Sequence, residues 1–304
     1  MMRRVNATIA VIALIAGFFP AGCQGHREKS VPNTSATVSD DSIFAARIQK
    51  AKAMHYNTLP IGERIVAMGK LFLGTPYVAG TLDVDSLHEN LVVNLRGLDC
   101  VTFYENMLAF ARVIRKYPDP SLRNFEDELT FLRYRNGNRD GFHSRLHYSI
   151  DYFYNNEQKG TLKIITREVG GTYAREDDRA INFMTTHRAS YKQLAQSDAE
   201  YAAILEMEND IHARRGFYYI PKQYVANVES NIQTGDILGI TTNVPGLDCS
   251  HTGIAVRMPD GRIHFMHASS LRGEVIISDE PLADYLTHSS HQTGIIVNRP
   301  LEVK

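Results

Sequence analysis

Apolar residues recur three and four positions apart in the first third of the chain. Residues 42–54 and 61–74 have this spacing, which is typical of helices with one apolar face, and Gly74 supplies a stop for the second helix. The middle of the chain, roughly 118–230, mixes helical and extended signals, without an internal repeat or a linker that would mark a second domain. We therefore expect one folded unit that opens with helices.

The run 101–116 differs from these helices because it is apolar almost all round. Its polar side chains form one narrow stripe, made of Thr102, Glu105, Asn106 and Arg112. A helix with so little polar surface is expected to be largely buried, and the Tyr-Pro-Asp-Pro sequence that follows should end it. Cys100 then lies at the N-terminus of a buried helix.

The last quarter of the chain contains short runs rich in β-branched residues, broken by glycine, proline and asparagine. Runs of this kind predict the strands of an antiparallel sheet, at 235–243, 251–258, 261–269 and 293–300. Helices first and a sheet later indicate an α+β fold.

The N-terminal segment carries two arginines, then an apolar run too short to span a bilayer comfortably, then small residues, which together predict an export signal. Ala21 and Gly22 stand directly before Cys23, so the segment resembles a bacterial lipoprotein signal, in which that cysteine is lipidated and becomes the mature N-terminus. A plain secretory signal cleaved nearby is the alternative. The expected organisation is a signal at 1–22, a polar tether at 23–40 and a single folded domain at 41–304.

Charge does not suggest a macromolecular partner. With 33 basic and 34 acidic residues the formal net charge is −1, which gives no drive towards nucleic acid, so no nucleic-acid partner is expected. The signal instead predicts an exported protein, anchored through lipid on Cys23 and facing the periplasm, and we expect a monomer. We expect the outer membrane, and Gln24 after the cysteine merely lacks the Asp that is associated with inner-membrane retention in some Gram-negative bacteria.

Two cysteines remain besides Cys23, and both end the same four-residue sequence, Gly-Leu-Asp-Cys, at 97–100 and 246–249. They allow one disulfide, or one functional thiol and one incidental thiol. A helix N-terminus stabilises a thiolate and points backbone N–H groups at an oxyanion, which favours Cys100 as a nucleophile. Cys249 precedes a strand with no helix behind it, so we expect it to be dispensable.

A base for this nucleophile is predicted in a hairpin. The sequence 259–261, Pro-Asp-Gly, suits a three-residue loop with Gly261 in the left-handed region, so that Met258 faces Arg262. A two-residue loop would shift the register by one residue and turn alternate side chains to the opposite face. The register therefore decides which histidines share a face.

With the three-residue loop, His251 lies opposite Ser269 and one diagonal step from His267, on the same face and within side-chain reach. We predict His251 as the general base and His267 as the group that orients it. His264 points to the other face and is expected to be incidental.

His143 and His147 lie four residues apart, the spacing of two metal ligands on a helix, but no Glu stands between them as in zinc proteases. Arg145 and Tyr148 beside them are better candidates for substrate contacts, Arg145 through bidentate bonds to a carboxylate. Surface solvation is the alternative for Arg145. The sequence predicts no metal site.

Longer stretches resemble the NlpC-type cell-wall cysteine hydrolases, which have a papain-like fold. These stretches are 73–83, 95–112, 250–256 and 264–270. Others resemble the branch described as N-acetylmuramoyl-L-alanine amidase-like, namely 144–148, 182–187, 219–222, 235–243 and 247–251. The similarity runs from about residue 60 to the C-terminus.

The resemblance implies a catalytic triad of Cys100, His251 and His267, with the Tyr77 hydroxyl beside the nucleophile to steady an oxyanion or the substrate. It implies a helical part that carries the cysteine, packed on an antiparallel sheet that carries the histidines, with a family-specific middle insertion. Further substrate contacts are implied at Asp99, Lys222, Thr242, Asn243 and Asp248.

The implied reaction is hydrolysis of the amide between the lactyl group of N-acetylmuramic acid and L-Ala. The implied substrates are peptidoglycan fragments, with a preference for anhydro-muropeptides, and neither a metal nor an organic cofactor is implied. Two alternatives remain open. One is an endopeptidase that cleaves the γ-D-glutamyl-diamino acid bond of the stem peptide, and the other is a non-catalytic cell-wall-binding lipoprotein.

Overall fold

Residues 39–85, 87–214 and 216–303 are the part of the chain that this computed structural model describes. The expected signal, the lipidation site Cys23 and almost all of the expected tether lie outside it. Helices dominate the first half and strands the second, and every pair of neighbouring strands is antiparallel. The protein is therefore α+β, as the order of its hydrophobic patterns predicts.

The α-helices are α1 (Asp40–Ala53), α2 (Ile61–Lys70), α3 (Cys100–Lys116), α4 (Leu122–Arg133), α5 (Ser149–Gln158), α6 (Thr166–Gly170), α7 (Phe183–Thr186), α8 (Lys192–Gln196), α9 (Asp198–Ala213), α10 (Val225–Val228) and α11 (Leu282–Tyr285). The strands are β1 (Leu162–Ile164), β2 (Arg175–Asp177), β3 (Phe217–Pro221), β4 (Ile237–Thr242), β5 (Cys249–Arg257), β6 (Ile263–Ser269), β7 (Glu274–Pro281) and β8 (Gln292–Pro300). They lie in the order β2-β3-β8-β4-β5-β6-β7, and β1 pairs with the end of β8. Among the described residues, no helix combines the length and the apolar character that crossing a membrane requires.

Helix α3 packs against α2 and α4 and against strands β5 and β6. It begins at Cys100 and ends at Lys116, as the sequence predicts, and residues 102–114 are all buried. Phe110 lies in a cluster of aromatic rings, with its centroid 4.4 Å from that of Phe125. Contacts along the whole helix therefore fix the position of its first residue.

The polar stripe of α3 is buried as well, and its two charged residues pair with α4. Glu105 accepts a hydrogen bond of 2.9 Å from Arg133, and Arg112 donates one of 2.5 Å to Glu128. Arg133 also donates to the carbonyl of Val92 at 2.7 Å. Buried charges need partners of this kind, so the stripe joins the two helices instead of facing water.

Both faces of the sheet are covered by apolar side chains. On one face Ile254 and Met266 belong to the cluster that contains α3, and on the other Ala255 and Phe265 pack with α6, α10 and α11. Strands buried on both faces appear in the sequence as nearly continuous apolar runs. This explains why the sequence predicts these strands from their apolar, β-branched composition more than from an alternation of apolar and polar residues.

The β5–β6 hairpin has the predicted register. Val256 pairs with His264, and the Met258 N–H donates to the Arg262 carbonyl at 2.9 Å. Gly261 has φ +82°, the left-handed region that the three-residue loop requires. The loop thus fixes which side chains of the hairpin share a face.

Candidate active site

One cavity of about 600 Å³ is lined by all three residues that the sequence predicts as catalytic, Cys100, His251 and His267. Four of the side chains expected to contact substrate line the same cavity: Tyr77, Asp99, Arg145 and Thr242. The other four do not line it: Tyr148, Lys222, Asn243 and Asp248. The cavity therefore brings together the two distant stretches that the sequence singles out.

Cys100 is held at the first position of α3 by a capping box. The Asp99 carboxylate accepts a hydrogen bond of 2.8 Å from the Thr102 N–H, and the Asp99 N–H donates to the Thr102 hydroxyl at 2.9 Å. Sequence comparison with the family implies a substrate contact for Asp99. In the structure its carboxylate stabilises the helix that carries the cysteine.

The pKa of the Cys100 thiol is shifted upward, the direction opposite to the one expected from its place at a helix N-terminus. Burial raises the pKa of the thiol to about 12, and the negative charge of Asp99 adds to the increase. Hydrogen bonding from Thr252 lowers the pKa, but by less. Desolvation and the charge of Asp99 raise the pKa more than these hydrogen bonds lower it, which favours the thiol over the thiolate at neutral pH.

The two predicted histidines form a direct hydrogen bond, with 2.6 Å between His251 Nε2 and His267 Nδ1. Their rings are nearly perpendicular, at 89°, and Phe265 stacks on His267 with 4.7 Å between centroids. Burial lowers the pKa of His251 to about 4. Burial and the neighbouring His251 lower the pKa of His267 well below its ordinary value. Both rings are therefore neutral at pH 7.

Two neutral imidazoles can share this bond in two ways, since either ring can donate. If His251 Nε2 donates, its Nδ1 carries the free lone pair that a general base needs. His267 then accepts at Nδ1 and carries its proton on Nε2, a buried nitrogen that has no hydrogen-bond partner among the described residues. The arrangement therefore allows a tautomer in which His251 Nδ1 can act as a base.

Local backbone geometry places His251 at the edge of an irregular stretch of β5. Ile240 pairs with His251 while Thr241 pairs with Cys249, so Ser250 is an extra residue in the ladder. A bulge of this kind redirects neighbouring side chains and is common beside active sites. The sequence does not reveal this bulge.

Backbone hydrogen bonds on two sides hold the segment that contains Tyr77. Its N–H donates to the Gly273 carbonyl at 2.8 Å, and the Leu98 N–H donates to the Pro76 carbonyl at 3.0 Å. Burial, with smaller contributions from Cys100 and Asp99, raises the pKa of the Tyr77 hydroxyl to about 12. The hydroxyl of this cavity-lining residue therefore stays protonated at neutral pH and can donate a hydrogen bond.

Arg145 and Tyr148 make protein contacts that the sequence does not predict. Arg145 Nη2 lies 2.5 Å from Asp83 and its Nε 3.7 Å from Glu89, so a substrate carboxylate would have to compete with both. The Tyr148 hydroxyl donates to Glu208 at 2.7 Å and accepts from the Met184 N–H at 2.8 Å. The expected substrate contact of Tyr148 is therefore wrong, since this buried hydroxyl joins α5 to α7 and α9.

Lys222 and Asn243 support the cavity wall from behind. Lys222 Nζ donates to the Ser289 carbonyl at 2.9 Å, and Asn243 Oδ1 lies 3.0 Å from His291 Nδ1. Ser289 and His291 themselves line the cavity. Direct substrate contacts of Lys222 and Asn243 are therefore not supported by their positions.

Asp248 and Cys249 contact the N-terminus of α5, which corrects the expectation that no helix lies behind Cys249. The Asp248 carboxylate accepts a bond of 2.8 Å from the Ile150 N–H, and burial raises its pKa to about 6. The Cys249 thiol is buried beside Ser149, and burial raises its pKa well above the ordinary value. Asp248 is a helix cap outside the cavity, and Cys249 faces α5.

The remaining sulfur and histidine alternatives concern a disulfide and a metal site. Cys100 and Cys249 are both free thiols. His143 Nδ1 contacts Glu200 at 2.9 Å, while His147 Nε2 contacts the Phe142 carbonyl at 2.8 Å, and the two do not share a helix. The described ranges contain no group of three potential metal-ligating side chains.

Tyr285 is a cavity residue that sequence reasoning missed. Its ring lies 5.4 Å from that of His267, and burial, with a contribution from Cys100, raises the pKa of its hydroxyl to about 12. It belongs to the short helix α11, which directly follows β7. The sequence of this helix contains no recognisable motif. Only the folded sheet brings it to the histidine pair.

A family model and a similar solved structure indicate the same family. Residues 67–295 match the family described as N-acetylmuramoyl-L-alanine amidase-like. An N-acetylmuramoyl-L-alanine amidase from Bacteroides uniformis has a similar structure, with TM-score 0.72 and 36% identity, covering 80% of this chain and 99% of that one. A search of curated proteins gave no match.

Two further structures are similar. A protein from Bacteroides fragilis, whose name suggests a xylanase, has TM-score 0.68 and 36% identity, covering 76% of this chain and 98% of its own. Protein LPG0564 from Legionella pneumophila has TM-score 0.64 and 23% identity, covering 88% of this chain and 97% of its own. At that identity the Legionella protein shows a shared fold alone.

Proposed function

Since this chain belongs to the N-acetylmuramoyl-L-alanine amidase-like family, we propose that it is a cysteine-dependent amidase. The bond cleaved is the amide between the lactyl group of N-acetylmuramic acid and L-Ala, in peptidoglycan fragments and in particular anhydro-muropeptides. The observation that carries the proposal is the shared cavity of Cys100 and the hydrogen-bonded pair His251–His267. A protein that only binds the cell wall would not need Cys100, His251 and His267 in one cavity.

The reaction begins with a neutral Cys100 thiol and a neutral His251 imidazole. Cys100 Sγ attacks the amide carbonyl while His251 Nδ1 takes the thiol proton, and His267 Nδ1 accepts a hydrogen bond from the imidazolium that forms. The oxyanion receives hydrogen bonds from the Tyr77 hydroxyl and from backbone N–H groups at the start of α3.

His251 then gives its proton to the nitrogen of L-Ala, the C–N bond breaks, and a thioester joins the lactyl carbonyl to Cys100. Water attacks the thioester with His251 again as the base, and the thiol leaves with its proton restored. No step needs a metal or an organic cofactor.

The wider proposal places the chain with NlpC-type, papain-like hydrolases and in the periplasm. It rests on the motif resemblance around Cys100 and the histidines, and on the signal-like sequence that ends at Cys23. In this proposal the enzyme is a monomer on a lipid anchor at the outer membrane, where it acts on small fragments of the wall.

A glycosidase is a less suitable assignment for this cavity. Glycoside hydrolysis ordinarily uses two carboxyl groups that flank the scissile bond. The carboxylates that line the cavity are engaged by the protein: Asp83 with Arg145, Asp99 with Thr102, and Glu105 with Arg133.

Mass spectrometry of anhydro-muropeptide digests tests the proposal. Free stem peptides that begin with L-Ala are expected, and Cys100→Ala should remove all measurable turnover. Cys249→Ala is the matched control, because it removes the other free thiol from outside the cavity, and it should keep most of the activity.

Two other outcomes would contradict the proposal. Release of an L-Ala-γ-D-Glu dipeptide would favour the endopeptidase. Activity that survives Cys100→Ala but not Cys249→Ala would overturn the assignment of the nucleophile.

A further inference from the structure

Thr252 follows His251 in β5 and faces the helical side of the sheet. Ile254 and Val256 of the same strand belong to the apolar cluster that contains α3. Since side chains alternate between the two faces of a strand, Thr252 lies on the face of Ile254 and Val256. It is 1% exposed and does not line the active-site cavity. Thr252 is therefore packed behind the cavity wall, where a substrate in the cavity does not touch it.

The backbone N–H of Thr252 points to a place where the sheet is open. β5 and β6 pair only as far as Ile254 and Met266, although both strands continue beyond this pair. Ala255 exchanges its backbone hydrogen bonds with the residues just before β4. Alternate residues of an antiparallel strand direct their N–H groups to opposite neighbours, so that of Thr252 points to the β6 side. The Cys100 sulfur accepts a hydrogen bond from this N–H.

The hydroxyl of Thr252 is buried and has no hydrogen-bonding oxygen or nitrogen among the described residues. A buried hydroxyl without a partner costs free energy, so its proton is available to another acceptor. The Cys100 sulfur is that acceptor, and hydrogen bonds from the hydroxyl and the N–H of Thr252 both lower the pKa of the thiol. One residue thus offers two donors to the sulfur.

Uncharged donors matter here because the titratable groups around Cys100 do not offset a negative charge on its sulfur. Burial raises the pKa of the thiol most, and the negative charge of Asp99 raises it further. Burial also raises the pKa of three tyrosine hydroxyls near the sulfur, which are therefore neutral at pH 7: Tyr77, Tyr104 and Tyr285. The two histidines of the cavity are neutral until one of them takes the thiol proton.

We propose that Thr252 is a further catalytic residue, whose hydroxyl donates a hydrogen bond to Cys100 Sγ as the thiol loses its proton. His251 Nδ1 takes that proton, and the electron pair left on the sulfur accepts the Thr252 O–H. When the sulfur then bonds to the carbonyl carbon, the charge passes to the oxyanion and the hydrogen bond weakens. It strengthens again when the thioester breaks and the sulfur leaves. This role rests on the proposed amidase function, because it concerns the same nucleophile.

Alkylation by iodoacetamide tests the role of Thr252 without a substrate, with mass spectrometry of the Cys100 peptide to separate this thiol from the others. Thr252→Val keeps the shape of the side chain and removes the hydroxyl. A hydrogen bond to a charged sulfur changes the thiolate fraction by about ten- to hundredfold, and the greater nucleophilicity of a less stabilised thiolate offsets part of this. Alkylation at pH 8 should therefore be about three- to tenfold slower in this variant, and kcat/KM for an anhydro-muropeptide should fall by a similar factor.

Three further variants separate the hydroxyl from packing. Thr252→Ser retains the hydroxyl and should restore both rates. Thr241→Val is the matched control, because Thr241 is also 1% exposed, lies on the neighbouring strand β4 and bonds to the Thr293 hydroxyl at 2.8 Å, outside the cavity. It should keep both rates of the unchanged protein. Thr252→Ala, which has a smaller side chain and the same expected rates as Thr252→Val, replaces that variant if circular dichroism shows it unfolded.

Three results would overturn the proposal. The first is alkylation of Thr252→Val that is as fast as in the unchanged protein or faster, since faster alkylation would mean that the hydroxyl accepts from the thiol. The second is an equal loss in Thr252→Val and Thr252→Ser, and the third is an equal loss in Thr241→Val. If the unchanged protein hydrolysed no muropeptide, the proposed function would fail, and the alkylation rates would still decide whether Thr252 stabilises the thiolate.

Discussion

The protonation state of the histidine pair predicts an unusual pH dependence of activity. His251 has to be neutral to accept the thiol proton, so activity is lost only when the pH falls through its pKa. Burial places that pKa at about 4, below the ordinary histidine value of about 6.5. At pH 5 about nine tenths of His251 would be neutral, against about 3% for a histidine with the ordinary pKa.

The assay is kcat/KM for an anhydro-muropeptide between pH 4 and pH 8, with the fold monitored by circular dichroism at each pH. This ratio reports the pKa values of the free enzyme. The expected profile is nearly level from pH 8 to pH 5 and falls only below pH 5. Relative to pH 7.5, the rate at pH 5 should drop by about 10%, whereas an ordinary histidine would give a drop of about 30-fold.

Alkylation of the resting enzyme gives an independent measurement of the same chemistry. Burial and Asp99 hold the pKa of the Cys100 thiol at about 12, so iodoacetamide should react slowly at pH 7 and faster as the pH rises. Rapid alkylation that is constant between pH 5 and pH 8 would indicate a preformed thiolate–imidazolium pair. That result, or an acidic limb of the rate profile near pH 6.5, would refute the reasoning.

Other predictions concern the oxyanion, the buried charges and metal independence. Tyr77→Phe should lower kcat by about 10²-fold and change KM little, since the hydroxyl bonds most strongly to the oxyanion, and an equal change in KM would contradict this. Arg133→Met leaves Glu105 buried without its partner and should lower the free energy of unfolding in urea by about 3–5 kcal/mol. The double variant Glu105→Leu/Arg133→Met should recover most of that loss, and equal instability of both variants would argue against the ion pair as the cause. EDTA should leave the hydrolysis rate unchanged, because every proton transfer is assigned to a side chain, and a loss that zinc restores would contradict the mechanism.

Local signals were enough to predict the helix that carries Cys100 and the hairpin that carries His251 and His267. The all-round apolar pattern gives α3, and the turn sequence that ends at Gly261 gives a register in which His251 and His267 meet. Both depend on interactions between residues close in sequence, which a single chain reveals.

The parts that sequence reasoning missed depend on contacts between distant residues. Tyr148 has the chemistry of a substrate contact, but Glu208 and Met184 occupy its hydroxyl. The thiol of Cys100 is at a helix N-terminus, as expected, yet its burial reverses the sign of the pKa shift. Desolvation follows from the packing of the whole domain, and local spacing does not reveal it.

The repeated Gly-Leu-Asp-Cys sequence has a consequence for the order of folding. The Asp99 carboxylate caps α3 through an N–H three residues away, whereas the Asp248 carboxylate caps α5 through an N–H that lies 98 residues earlier in the chain. Contacts between near neighbours close small loops and form early, while long-range contacts wait for the rest of the chain. We therefore expect the nucleophile helix to form first, and the strand with His251 to be fixed only when Asp248 docks on α5. The candidate site would then be completed in one late step of folding.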